Sequence, residues 1–279
     1  MLRPGTVFCR KAVGTAKMIK FTRYPSFKSL KIGVIPLPWH LINNQTNEYT
    51  MKQTTLITYL FLLILTIWAQ SIVAQRDIPV GDFDGISVIG NIDVTLEAGE
   101  PGTVSLYAEG IPEDDISIKV SRGTLRLKVT NSWLYSNEII RIYVPYQTLR
   151  LIRADAGATI TSRDTLKTEV LEVNIGSGAV VTLAVDVESL KASANEGGKL
   201  TLMGRTVSQD VGAGTGGVYD AFDLDCQRTY VRVGTGGQAE VVAIELLEAS
   251  ANTGGSIIYQ GEPKQKVIKT FIAGEVEAF

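Results

Sequence analysis

The chain has 279 residues, of which 45% are hydrophobic and 20% are charged, and its formal net charge is −2. Nine of the 27 basic residues but only one of the 29 acidic residues precede Arg76, so residues 76–279 hold 18 basic and 28 acidic residues, a net charge of −10. This acidity argues against nucleic acid and anionic membrane surfaces as partners, because both attract basic faces. The same region has no histidine and one cysteine, Cys226, which argues against histidine-dependent catalysis, a His-ligated metal and an internal disulfide. We predict no cofactor.

Residues 1–50 contain eight basic residues and one acid, Glu48. We expect no packed structure in them. They are interpreted as disordered or as the product of an over-long gene prediction, with translation starting at Met51.

Residues 51–75 have the pattern of a secretory signal peptide. Lys52 is followed by an apolar run and then by small residues up to Ala74, after which we place the cleavage. The alternative is a retained membrane anchor, because the uncharged stretch from Leu56 to Ala74 is long enough to span a bilayer. Export predicts a secreted, periplasmic or cell-surface protein, with no membrane contact beyond this segment.

Residues 76–150 show several short runs in which apolar and polar residues alternate, the pattern of strands with one buried face. Such runs occur near residues 83–96, 102–106, 116–120, 123–129 and 140–145. Their spacing is irregular. We therefore predict that they form the opening coils and the N-terminal cap of a β-structure.

From about residue 150 onward, a small-residue phrase recurs at nearly constant intervals. The markers, separated by 21, 20, 19, 20, 18 and 19 residues, are Gly157, Gly178, Gly198, Gly217, Gly237, Gly255 and Gly274. Short alternating runs lie between them, and these units are too short to include a crossover helix. Such a period predicts an all-β fold, a parallel β-helix (β-solenoid) with coils of about 20 residues in a single domain, residues 76–279.

The glycines have a structural explanation in this fold. A solenoid corner requires positive φ or very close approach of neighbouring coils, and glycine satisfies both. The run from Gly212 to Gly217 resembles a dinucleotide-binding loop, but no helix follows it and the phrase recurs in other coils. Phe271 and Phe279 are expected to cover the last coil.

At these residues the sequence resembles a bacterial family, the putative auto-transporter adhesin head (GIN) domain. The resemblance depends on the alternating run from Phe83 to Leu96, on the serial glycine phrases, and on the ending Gly255–Pro263 with Tyr259 and Gly261. It covers about residues 79–274. It implies a right-handed parallel β-helix that is secreted or faces the cell envelope, and it carries over no catalytic residues.

Two groups of residues are candidates for binding. Trp133 and Tyr135 lie in a polar loop, where they could stack on a sugar or insert into a partner, or else cover the first coils. Asp220, Asp223 and Asp225 are candidate calcium ligands, because Asp223 and Asp225 would share one face of a strand.

The predicted function is a non-enzymatic, adhesin-like binding module that presents a rigid repetitive face to a glycan or an envelope protein. Two alternatives remain open. One is a polysaccharide-acting enzyme that uses surface carboxylates such as Asp155 and Asp210, and the other is a purely structural envelope protein. The sequence predicts no oligomeric state.

Overall fold

The computed structural model describes residues 75–108, 110–130, 134, 138 and 140–279, so the predictions for residues 1–74 lie outside the described residues. Ser71–Phe279 is one compact unit. The described part of the chain is nearly all β-strand, with a short 3-10 turn at Glu113–Asp115. None of its helical segments is long and apolar enough to cross a membrane.

The strands are named in chain order. They are β1 Gln75–Pro79, β2 Gly85–Ile89, β3 Asp93–Ala98, β4 Thr103–Ala108, β5 Ile116–Ser121, β6 Thr124–Val129, β7 Ile140–Tyr146, β8 Leu151–Asp155, β9 Thr159–Ser162, β10 Leu166–Ile175, β11 Val180–Ala194, β12 Lys199–Ala213, β13 Val218–Asp220, β14 Leu224–Val233, β15 Gln238–Val242, β16 Leu246–Asn252, β17 Ser256–Gln260, β18 Gln265–Phe271 and β19 Glu275–Ala278.

Parallel stacking of these strands confirms the predicted solenoid, which has about seven turns of roughly 19 residues. We call front face the parallel stack of β8, β10, the second half of β11, the second half of β12, β14, β16 and β18. The back face is the stack of β9, the first halves of β11 and β12, β13, β15, β17 and β19. Alternate side chains of both faces point inward and form one hydrophobic core.

The N-terminal region contributes coils and a cap, as predicted, but the coils are not stacked in chain order. The coil of β2 and β3 lies between the coil of β8 and β9 on one side and the coil of β6 and β7 on the other. Beyond β6 and β7, the sheet continues with antiparallel strands: β5 pairs with β6, β4 with β7, and β1 with β4. This end of the solenoid therefore terminates in antiparallel strands.

From β8 onward, each coil passes from the front face to the back face through a two-residue turn whose central residues both have positive φ. In the turn Thr235-Gly236, for example, the φ angles are 51° and 69°, and the amide of Gly237 donates to the carbonyl of Gly234 at 3.0 Å. These are the features of a type I′ turn. The repeated phrase is thus a corner of the solenoid, as the sequence predicted.

The two glycines of the phrase serve different purposes. The marker glycines chosen from the sequence do not all occupy the same one of these two positions. Gly157 and Gly178 occupy the positive-φ position, and the same position in the next coil is Gly197 rather than the marker Gly198. The residue after it is a glycine for a steric reason in the later coils. A Cβ atom on Gly237 would lie 2.7 Å from the carbonyl oxygen of Ala213 in the preceding coil.

A buried polar cluster interrupts the otherwise apolar core. One inward column of the front face reads Leu171, Leu190, Gln209, Thr229 and Leu247 along successive coils. Gln209 donates from Nε2 to Thr229 Oγ1 at 3.0 Å and accepts at Oε1 from the Tyr219 hydroxyl at 2.7 Å. Thr229 Oγ1 donates to the carbonyl of Val242 at 2.6 Å. The cluster connects the front face to the back face with its side chains hydrogen-bonded, as buried polar groups require.

The last coil is more open than the sequence predicted. Phe271 and Phe279 are 58% and 84% exposed, so they do not close the end of the core, although Phe279 packs on Phe222 with ring centroids 5.3 Å apart. Instead, Lys266 lies over the ring of Tyr259 and donates from Nζ to its hydroxyl at 2.9 Å. The long apolar stem of lysine can cover core atoms while its charge remains near water.

The glycine positions predict a contrast between two neighbouring substitutions. Gly236→Ala adds a methyl group in open space at φ 69°, so it should cost about 1 kcal/mol for the left-handed backbone. Gly237→Ala forces a methyl group against the backbone of the preceding coil, and overpacking of this kind costs about 3 kcal/mol. Chemical denaturation of both variants measures the difference. Equal losses would contradict the steric role of the second glycine.

The buried cluster predicts coupling between two residues. Gln209→Leu leaves the Tyr219 hydroxyl buried without its partner and should lower the free energy of unfolding by about 2 kcal/mol. Adding Tyr219→Phe removes the orphaned hydroxyl, so the double variant should be more stable than the sum of the single losses. A double-mutant cycle by denaturation measures the coupling. Additive losses would mean that the hydrogen bond contributes nothing.

Candidate functional site

A groove lies on the surface at the bend between the back and front faces. This corner groove has a volume of about 670 Å³. It crosses four coils and is lined by residues 167–169 of β10, 186–188 of β11, 205–207 of β12, and 225 and 227 of β14. Because β11 and β12 run unbroken through the bend, equivalent residues of successive coils are stacked in register.

One column of the corner groove alternates in charge from coil to coil. Lys167 pairs in register with Asp186, Asp186 with Arg205, and Arg205 with Asp225. Adjacent strands of a sheet are about 4.8 Å apart. The groove therefore presents a positive or negative group at each step along the solenoid axis.

The central pair of this column is a bidentate ion pair. Arg205 donates from Nε and from one terminal nitrogen to the two carboxylate oxygens of Asp186, both at 2.7 Å. This hydrogen bonding lowers the pKa of Asp186 and raises that of Arg205. The pair is exposed, so its direct contribution to stability is small, but its fork geometry fixes both side chains in the groove.

The groove also has apolar surface. Val187 and Thr206 are each 5% exposed and lie at its base, and the Thr206 hydroxyl donates to the Ser208 carbonyl at 3.1 Å. Val207 is 45% exposed at its side. Apolar surface beside a few oriented polar groups is the usual composition of a ligand site.

The front face is a second, flatter candidate surface. Its outward column reads Arg153, Asn174, Ser193, Gly212, Arg232 and Ser250. Ser193 donates to Asn174 Oδ1 at 2.8 Å, and Arg232 forms an ion pair with Asp210 at 2.9 Å. A shallow depression of about 180 Å³ lies near Tyr230 and Arg232. Its smaller volume makes this face the weaker candidate.

The structure describes three of the five residues proposed from sequence, and it places these three aspartates at different positions. Trp133 and Tyr135 lie outside the described residues. Asp220 pairs in register with Thr201 and Glu240 on the back face, Asp223 lies in a turn rather than in a strand, and Asp225 belongs to the corner groove. The described residues contain no group of three acidic, Cys or His side chains able to hold a metal ion.

The carboxylates considered for glycoside chemistry are also far apart. Asp155 is the last residue of β8. Its register equivalent in the coil of Asp210 is Gly214, three coils away. Three coil spacings and four residues along a strand amount to about 20 Å. Paired carboxylates in glycosidases lie about 5–9.5 Å apart, so Asp155 and Asp210 are not such a pair.

Cys226 is buried. Its thiol donates to the Arg228 carbonyl at 3.2 Å, and burial raises its pKa. A raised pKa lowers the fraction of reactive thiolate. Cys226 is therefore a core residue next to the polar cluster.

The sequence analysis missed the corner groove, although its signal is present in the chain. Lys167, Asp186, Arg205 and Asp225 recur at intervals of 19, 19 and 20 residues. Alignment of the coils on the type I′ turn that follows each of these four residues would have placed the residues in one column.

The stacked coils define a parallel β-helix protein with a charged groove at one corner. The family described as putative auto-transporter adhesin, head GIN domain, matches residues 82–263. The chain belongs to this family, as its resemblance predicted.

Solved structures share the fold at low sequence identity. A putative adhesin from Bacteroides fragilis is similar with a TM-score of 0.62 and 18% identity, over 74% of this chain and 96% of that one. A putative adhesin and a putative lipid binding protein, both from Parabacteroides distasonis, give TM-scores of 0.59 and 0.58 at 19% and 18% identity, with the same coverage. These likenesses concern the fold alone. No curated protein matches the chain.

Asp155 predicts a pH-dependent stability. Burial, followed by the nearby charge of Glu196, raises its pKa above the ordinary value of 3.8, although Arg153 opposes this. The folded state thus disfavours the charged carboxylate, so Asp155 destabilises the protein at neutral pH, and this penalty disappears as pH falls through its folded pKa. Asp155→Asn should raise the Tm at pH 7 by about 2 °C, and the difference should vanish below pH 3.8.

Thermal melts followed by circular dichroism at both pH values measure this effect. Glu196→Gln is the comparison variant, because it removes only the second cause of the shift and should raise the Tm by less. A lower Tm for Asp155→Asn at pH 7 would contradict the interpretation.

Proposed function

We propose that this protein is an exported, non-enzymatic binding module of the adhesin type, and that it binds an extended ligand along the corner groove. Membership of the GIN family supports the adhesin class. The apolar run and small residues of 51–75 support export. The proposed ligand is a glycan, or else an extracellular or envelope protein.

The observation that carries the proposal is the charge alternation within the groove. A rigid column with one charged group about every 4.8 Å suits a ligand whose own polar groups repeat along its length. The stacked backbone holds these side chains in place before binding, which reduces the entropy lost on association. The net charge of −10 for residues 76–279 disfavours strongly anionic polymers as ligands.

The states of Asp186 and Asp155 favour a binding role over carbohydrate cleavage. Asp186 is held in its charged form by Arg205, whereas a general acid must carry a proton near neutral pH. Asp155 has a raised pKa but lies at a turn, outside the groove lining. Asp186 is therefore not suited to act as a general acid in the groove, and Asp155 lies outside it.

The experiment compares two matched arginine variants on glycan and envelope-protein arrays. Arg205→Ala removes the ion pair of the groove, and Arg232→Ala removes an ion pair of similar exposure on the front face. We expect Arg205→Ala to weaken binding at least about tenfold, the effect of losing roughly 1.4 kcal/mol, and Arg232→Ala to leave it unchanged.

The stability of both variants serves as the control, since loss of an exposed ion pair costs at most about 1 kcal/mol. Equal binding by both variants would contradict the assignment of the groove. Cleavage of the bound glycan would contradict the non-enzymatic role, and a blank array with self-assembly of the protein would favour a structural role.

A further inference from the structure

The two ends of the solenoid differ in the direction of the strands that form them. At the N-terminal end, antiparallel strands extend both faces beyond the last parallel coil. At the other end, β18 pairs only with β16, and β19 only with β17, among the described strands. Unpaired edges of this kind present backbone donors and acceptors to a further strand.

Apolar side chains are concentrated at this C-terminal edge, which we define as β18, β19 and the turn between them with Phe279. Val267, Ile268 and Phe271 on β18 are 44%, 40% and 58% exposed, and Phe279 is 84% exposed. Exposed apolar groups beside unpaired strand edges are typical of surfaces that bind another chain.

The two strands of the C-terminal edge carry opposite charge. β18 contains Lys266 and Lys269, and β19 contains Glu275 and Glu277. Among the described residues, Lys269, Glu275 and Glu277 form no salt bridge. The edge is therefore complementary to itself, provided that β18 meets β19 of another copy.

A two-fold axis through the turn between β18 and β19, perpendicular to the solenoid axis, produces this arrangement. It places β18 of one copy against β19 of the other, twice. Because β18 runs toward the turn and β19 runs away from it, the paired strands are antiparallel. Such a self-complementary interface closes after two copies, the commonest form of protein oligomer.

The side-chain pattern selects a register for this pairing. β18 has Val267 and Lys269 on its outer side, and β19 has Glu277 there, as the pairing with β16 and β17 shows. With Lys269 opposite Glu277 of the second copy, Val267 meets Phe279 and Ile268 meets Ala278. Opposite charges and apolar pairs directly across two strands stabilise the pairing.

We propose that the C-terminal edge binds the same edge of a second copy, and that β18 and β19 of each copy pair with β19 and β18 of the other. Pairing of β18 with β18 of the second copy would place the lysines of both strands side by side. Pairing of β19 with β19 would do the same for the glutamates. The dimer doubles the number of corner grooves in one rigid body.

Charge exchange at Lys269 and Glu277 tests the proposal. The Ser71–Phe279 unit contains its own strand pairings and core, so it is used for sedimentation velocity and light scattering over a range of concentrations. We expect a dimer for the wild type. Lys269→Glu and Glu277→Lys should each weaken the dimer at least about tenfold, because each places two like-charged pairs in the interface.

The double variant Lys269→Glu/Glu277→Lys should restore the dimer, because it re-creates the opposite pairs with their signs exchanged. Lys199→Glu, an exposed substitution in the middle of the back face, is the matched control and should not change the dimer constant. Circular dichroism verifies that all variants are folded. A monomer at every concentration, or a dimer that the single variants leave intact, would overturn the proposal.

Failure of the double variant to restore the dimer would also overturn the proposal, because residues 269 and 277 would then not face each other across the interface. This outcome is separate from the glycan-binding experiment, because neither Lys269 nor Glu277 lines the corner groove.

Discussion

Close backbone stacking of successive coils is the constraint on which the rest of this structure depends. Coils can form continuous parallel ladders only if the chain turns at the same place in each coil and no side chain separates the backbones there. The type I′ turns meet the first requirement, because both central residues adopt positive φ. Glycine at the following position meets the second, since a Cβ atom on Gly255 would lie 2.8 Å from the carbonyl oxygen of Val233.

The same stacking converts a repeat in sequence into columns in space. Inward columns build the core, and one of them changes from leucine to Gln209 and Thr229 where Tyr219 enters from the opposite face. Outward columns build the surfaces, and the column through Asp186 and Arg205 becomes the charged side of the corner groove. In a solenoid, surface residues that are far apart in sequence are therefore held at a regular separation by the stacking of the coils alone.

Stacking also explains why the two ends of the molecule are different. A parallel ladder has no intrinsic stop, so each end needs a structure that ends the pairing or a partner that continues it. The N-terminal end continues in antiparallel strands, with β5 added to β6 and β4 added to β7. The other end has exposed apolar residues on two strands of opposite charge. This arrangement is complementary to the same end of a second copy related by a two-fold axis.

The sequence by itself determined the fold class, the coil length and the role of the paired glycines, because these depend on local periodicity and on backbone conformations that few residues adopt. Only the tertiary structure decided that the coil of β6 and β7 lies outside that of β2 and β3, since the order of stacking depends on long-range pairing rather than on local pattern. It likewise separated Asp155 from Asp210 and brought Asp186 to Arg205, because the register between coils, and not the spacing along the chain, fixes which side chains meet.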